Sequence, residues 1–367
     1  MSDNNTTRKQ AAQLNLRDVM VLAPNLHWRY SGVTSTIFAL APILQRRLQI
    51  ACVGAHLPAD VAQIPFRQIF SQGWSRPPVG AFRLWHARRN DEMIVGVVLK
   101  FLLRQKWKLV FTSAGQRRHT AFTRWLLRRM DAVIATSEGA AGFLEVPSVT
   151  IHHGVDLERF SPLPDRAAEW RSAGLTGSLG IGAFGRIRPQ KGTDLLIDAA
   201  VKLFPAYPEA TLLLTGLTTP ENAPFVEELK RRVDDAGLRD RILFLGEQSR
   251  DKMPSLFALV ALYVAPMRWE GFGLTPLEAM ASGAAVVATR TGAAAQLVVD
   301  GETGTLVPPD DLDALVRAIE PFLAEPEKTL AMGRRGREKA VADHDIKQEA
   351  ARIAEVYESV LGVLLSR

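Results

Sequence analysis

The sequence is short of several things, and each shortage removes a class of protein. One cysteine, Cys52, in 367 residues excludes an internal disulfide, and no Cys/His cluster has zinc spacing. A reducing compartment is the expectation. No apolar run approaches the roughly 18 residues needed to cross a bilayer. The best, MIVGVVLKFLL and SLFALVALYVAP, read as core helix or strand. The first 16 residues lack the apolar stretch and cleavage site of a secretion signal and are expected to form a frayed lead-in, which makes the cytoplasm the expected location. No Pro-, Ser- or Gln-rich tract is long enough for a disordered module, and the composition is globular.

Acidic residues are scarce in one half. Residues 1–180 carry a balance of +11 and the remainder −5, and between 81 and 129 only Asp91 and Glu92 face 12 basic side chains. Such a patch suits an anionic neighbour, so Arg83, Arg88, Arg89, Lys106, Arg117 and Arg118 are candidate contacts to an anionic ligand or membrane. Phe82, Leu84, Trp85, Ile94, Leu99, Phe101, Leu102 and Trp107 are interleaved with these charges. The pattern fits either a helix lying on an anionic bilayer or an ordinary helix covering a sheet.

From Asp18 onward, β-branched runs such as VMVLAP, QIACVGA and KLVFTSA alternate with helical patterns, and a second series starts at LGIGAFGR. Alternation of this kind predicts βαβ units, hence an α/β fold with two doubly wound, Rossmann-like domains facing a central cleft. The expected domains are 1–165 and 166–344, with an amphipathic helix over 345–367. Ligands of open α/β sheets bind beyond the carboxyl ends of the strands, which directs attention to two segments.

In RWEGFGLTPLEAM, residues 268–280, Thr275 and Pro276 have the form of a helix start, with Thr275 as capping hydroxyl and Glu278 as its third-position partner. Gly271 and Gly273 allow the backbone close to a ligand, and a helix N-terminus favours an anion. Glu270 has no basic partner implied nearby, so Glu270 and Glu278 read as acceptors for hydroxyls flanking a diphosphate. In GRIRPQKG, residues 185–192, Arg186 and Lys191 supply the cations that stabilise a departing diphosphate without a metal.

The combination of GRIRPQKG, LFLGE (243–247) and EGFGLTPLEAMASG (270–283) resembles the retaining GT-B glycosyltransferases of the group 1, family 4 type, and is most similar to bacterial lipopolysaccharide mannosyltransferases. The resemblance implies that Arg186 and Lys191 bind the nucleotide diphosphate. Glu270 would contact the donor-sugar hydroxyls with Gly271, Phe272, Gly273, Leu274 and Thr275 around it, and Glu278 would contact the ribose. Gly32 matches the glycine loop near the phosphates, with Ser31 in place of the usual second glycine, and HHGVDLERFSP (152–162) matches the end of the first domain, with His153 where asparagine is usual. The last helix, in this family, returns to the first domain. A family histidine is replaced by Ala114, and His119 is the candidate substitute; Gln296 stands where glutamate is usual. The resemblance implies a hexosyltransferase with retention, no cofactor and no metal. GDP-mannose is the favoured donor. An anionic glycolipid such as lipopolysaccharide core is the favoured acceptor, at the inner face of the cytoplasmic membrane.

Rival readings remain. A UDP-sugar glucosyl- or galactosyltransferase shares the motifs, a nucleotide-sugar epimerase shares the fold, and a basic membrane- or RNA-binding protein would use only the patch. GIGAFG (180–185) satisfies G-x-G-x-x-G, but it continues into a proline-containing loop instead of opening a helix, and the order Lys191-Gly192-Thr193 is not that of a Walker loop. No nucleic-acid module is recognisable, so nucleic acid is not an expected partner.

Overall fold

The computed structural model describes residues 14–28 and 32–365, arranged in two compact units. Most of the expected lead-in, and Arg29, Tyr30 and Ser31 of the glycine loop, lie outside the described residues. Within the lead-in, Leu16 is fully buried, so the core starts earlier than the polar composition implied.

The first unit holds a six-stranded sheet: β1 (Val21–Asn25), β2 (Ile50–Gly54), β3 (Arg83–Ala87), β4 (Trp107–Ser113), β5 (Ala132–Ala135) and β6 (Val149–Thr150), in the order β2-β1-β3-β4-β5-β6. Every pairing is parallel. The second unit repeats the plan with β7 (Leu179–Phe184), β8 (Ala210–Thr215), β9 (Ile242–Phe244), β10 (Leu262–Ala265), β11 (Ala285–Thr289) and β12 (Gly304–Val307), in the order β12-β11-β10-β7-β8-β9. Helices cover both faces of a parallel sheet, so its strands are apolar on both sides. Val264, Val286 and Val287 are therefore buried alongside Tyr263.

The units divide between Gly154 and Val155, earlier than the expected boundary at 165/166. The physical reason is packing: Val155 and Phe160 belong to the apolar core of the second unit with Phe257, Tyr263 and Leu277. The return falls between Asp345 and Ile346. From there the helix Ile346–Leu361 lays Ile346, Ala350, Ile353 and Tyr357 against the first sheet.

The stretch 81–108 is not one surface helix. It is strand β3, the helix Asn90–Val97, a π turn over Val98–Leu102 and the start of β4. Trp85, Leu84, Leu99 and Trp107 are core residues, while Phe82, Ile94, Phe101 and Leu102 are exposed. Periodicity misread this segment because a buried strand and an apolar helix face are alike over so few residues.

Candidate active site

In an open α/β sheet the crevice opens where the strand order reverses. In the second unit that point lies between β7 and β10, neighbours that lead away in opposite directions. A cavity there is lined by Gly185, Arg186 and Lys191 after β7 and by Ala265, Pro266 and Met267 at and after the end of β10.

The loop carrying Lys191 is held down by backbone geometry. Gly192 has φ +68°, and a Cβ added to it would lie 1.9 Å from the Pro266 carbonyl oxygen. Only glycine brings the loop this close to the end of β10. Arg268 fastens the same two segments: its guanidinium grips Asp194 with two bonds of 2.8 Å and also reaches Asp310 and the Pro189 carbonyl. Burial pushes the Asp194 carboxyl up, but the Arg268 hydrogen bonds and charge outweigh it and hold the group below the usual carboxylate range. This clamp was not read from the sequence, although Arg268 opens the RWEGFGLTPLEAM stretch.

Lys191 Nζ forms an ion pair with Glu270 Oε2 and lies 3.6 Å from Met267 Sδ. The expectation that Glu270 has no basic partner is thus corrected: the partner lies 79 residues away in sequence and comes near only through the β7–β10 pairing. Glu270 Oε1 accepts the Gly271 amide at 2.8 Å, which orients the carboxylate. Arg186, Lys191 and Glu270 are therefore gathered at one strand edge.

The helix expected to start at Thr275 starts at Leu274, with Gly273 (φ +93°) at the cap and no capping side chain. Thr275 is not the capping hydroxyl; its Oγ1 is buried beside Tyr263. The glycine's left-handed backbone enters the helix two residues earlier than a Thr275 cap would. Glu278 consequently lies beyond the capping position. Burial pushes its pKa up to about 7, against the opposing charges of Arg159 and Arg250. Both carboxylates also bear on Tyr263, whose hydroxyl donates to the Phe184 carbonyl at 3.1 Å, so the pair flanks the β7–β10 junction. Arg159 belongs to the HHGVDLERFSP segment, a role near Glu278 that its motif did not disclose. Phe272 is buried in the core, so its side chain is unsuited to donor contact and only its backbone can serve.

In the first unit the basic candidates separate. Arg83 is 1% exposed, and its guanidinium donates to the carbonyls of Leu16, Val19, Ser75 and Arg76 and to Ser75 Oγ. It is a structural residue and not a ligand or membrane contact, because all three nitrogens of its guanidinium are bonded to the chain itself. Arg89 bonds Asn25 Oδ1, Glu92 Oε1 and Thr34 Oγ1, while Arg88 is buried. Lys106, Arg117 and Arg118 are exposed, as is Gly32 at the start of the helix Gly32–Gln45. His119 stands before the helix Ala121–Leu127; its Nε2 is buried without a partner, and burial, then Arg117, lower its pKa while Glu145 opposes. Among the described residues no group of three His, Cys, Asp or Glu is placed to hold a metal.

Two doubly wound parallel sheets with a cationic and acidic edge are the architecture of the GT-B glycosyltransferases. The fold matches HepE of Anabaena, solved with UDP, at a TM-score of 0.80 over 93% of this chain and 100% of that one, at 22% identity. Residues 175–339 match the model of the family "Glycosyl transferases group 1". The chain is 49% identical to the lipopolysaccharide core biosynthesis mannosyltransferase LpcC of Rhizobium leguminosarum bv. viciae, over 95% of this chain and 98% of that protein. It is 46% identical to the corresponding LpsB of Rhizobium meliloti (strain 1021), over 95% and 99%. The chain belongs to the group 1 glycosyltransferases.

Proposed function

We infer that the chain transfers mannose from GDP-mannose to an anionic, lipid-linked glycan of the lipopolysaccharide core type, with retention at the anomeric carbon. The observation that carries this reading is the gathering of Lys191, Glu270 and Arg186 at the β7–β10 junction of a chain 49% identical to a lipopolysaccharide core mannosyltransferase. Arg186 and Lys191 neutralise charge growing on the leaving phosphate, where such stabilisation is worth most because it strengthens in the transition state. Glu270 and the amides of Gly271 to Gly273 hold the sugar, and Glu278 accepts the ribose hydroxyls. Donor binding exchanges the Lys191–Glu270 contact for contacts to phosphate and sugar, so both partners serve the same substrate. His119 is the histidine of the first unit that takes the role vacated at Ala114. No metal or cofactor is required.

The acceptor side is the basic first unit, seated on an anionic membrane surface. Trp74 Nε1 donates to the Leu103 carbonyl, which places the helix Phe66–Gln72 beside the π turn. Phe70, Trp74, Phe101 and Leu102 are exposed there, with Arg104 and Lys106 exposed nearby. Apolar anchors among cations suit an interfacial site, and no described helix is long and apolar enough to cross a membrane.

The test is transfer from GDP-mannose, UDP-glucose and ADP-glucose to lipopolysaccharide core, preceded by a thermal-shift panel of GDP, UDP and ADP. GDP-selective stabilisation and an α-linked mannosyl product are the expected results. A response confined to UDP, or a product of inverted configuration, overturns the donor or the stereochemical part.

A further inference from the structure

The order β2-β1-β3 gives the first sheet its own reversal point, between β1 and β3, whose carboxyl ends carry Asn25 and Arg88. Arg88 is 9% exposed, Nη1 of its guanidinium has no hydrogen-bond partner, and it joins no ion pair among the described residues. Arg83, five residues earlier at the start of β3, is still more enclosed, yet its guanidinium makes five hydrogen bonds. The contrast matters because a buried charge without a partner is strongly unfavourable, and proteins rarely keep one.

The neighbours do not supply the missing anion. Glu92 is the nearby carboxylate, but it accepts the amides of Arg88 and Arg89 at 2.7 and 3.2 Å and pairs with Arg89 Nη1 at 2.9 Å. Two guanidinium groups thus face one carboxylate, leaving one positive charge. The other groups that feel Arg88 are Cys52, His86 and Tyr357, and burial keeps all three neutral. Asp60 is exposed, and Glu349 is held by His153 and the Gly154 amide at 2.7 Å each. The helix Gly32–Gln45 has no acidic residue in its first turn, and Thr34 ties that turn to Arg89. A buried guanidinium at a strand-order reversal, with no described group paired to it, suits an anionic oxygen group.

We propose that Arg88 seats an anionic group of the acceptor, a phosphoryl or a carboxylate, and so selects acidic over neutral acceptors. The proposal rests on the glycosyltransferase reading above for the identity of the ligand. The reading above gives the donor's phosphates Arg186 and Lys191 as their cations, and the acceptor is taken here as the source of the anion at Arg88.

One readout is independent of sugar transfer. In an Arg186→Ala/Lys191→Ala protein, inorganic phosphate is expected to raise Tm by several degrees. Adding Arg88→Met is expected to abolish that response while raising Tm in phosphate-free buffer, because an uncompensated charge has been removed; Arg88→Lys serves if the methionine variant does not fold and should weaken the response. A phosphate response that survives loss of Arg88, the absence of any response, or a fall in Tm on Arg88→Met overturns the proposal. In transfer assays Arg88→Gln should raise the acceptor KM by about tenfold or more and leave the donor KM unaltered. Acceptors stripped of phosphate, or with their carboxylates reduced, identify the anion: the modification that makes wild type and Arg88→Gln equal marks the group bound. If neither does, Arg88 is not the selector. Failure of all transfer with an intact phosphate response would defeat the functional reading and leave the anion seat standing.

Discussion

The two sheets reverse their strand order at corresponding places, yet they treat charge there in opposite ways. At β7/β10 the cations are met by carboxylates of the same unit: Lys191 by Glu270, and Arg268 by Asp194 and Asp310. At β1/β3 the pairing is incomplete, with Arg89 satisfied and Arg88 not. On the proposed function a ligand of the second unit competes with an existing ion pair, whereas an anion at the first meets a guanidinium that no described group pairs. On the proposals above, one edge is arranged for exchange during turnover and the other for retention of a charged group.

The largest effect expected is on rate. Lys191→Ala removes the exchangeable cation and should lower kcat by about 100- to 1000-fold, with Tm little changed because both partners are partly exposed; unchanged turnover would break the comparison at its centre. Arg268→Ala should come next. It releases the Gly185–Gly192 loop from β10, costs about 2 kcal/mol in a denaturant titration and raises the donor KM. Because Asp194 is held below its ordinary pKa, the contribution of this pair is present above about pH 4 and is lost as the carboxylate protonates on further acidification. An Arg268→Ala protein with wild-type stability at pH 7 would remove the clamp from the account.

Glu278 gives a pH-dependent effect of the opposite sign. Its folded pKa, about 7, lies above the unfolded value of 4.5, so the folded state holds its proton more tightly. Stability should decline as pH rises through that window, by on the order of 3 kcal/mol at most. Glu278→Gln should abolish this decline and be more stable than wild type at pH 8, while donor binding is weakened; a wild-type pH profile in the variant would refute the shift. Donor affinity of the wild type should improve between pH 6 and 8 as the carboxylate forms. The smallest change in stability belongs to Phe101→Ser/Leu102→Ser, expected within about 0.5 kcal/mol but with reduced sedimentation on anionic vesicles. Equal sedimentation would detach the apolar patch from membrane binding.

Much of the candidate site was legible because its residues sit in short local motifs. Arg186 and Lys191 follow one strand, and Glu270 and Glu278 follow another, so strand-end reasoning placed all four beside the β7–β10 junction. Thr275 was misjudged since Gly273 can enter a helix with left-handed backbone, an option open to few other residues. Arg83, Arg88 and Arg89 looked alike in a basic run. One is spent on carbonyls of the chain, one on a carboxylate and side-chain oxygens, and one on nothing within the described residues. No local pattern separates them, because their partners come from segments up to 67 residues distant.

The amino-acid sequence by itself determined two alternating α/β series, the strand ends that carry the chemistry and the family to which the chain belongs, since these depend on periodicity and on contiguous motifs. Tertiary structure alone decided the unit boundary, the union of Lys191 with Glu270, the elevated pKa of Glu278 and the isolation of Arg88. Those are properties of burial and of through-space distance, and a charge's free energy is set by what surrounds it, not by its neighbours along the chain.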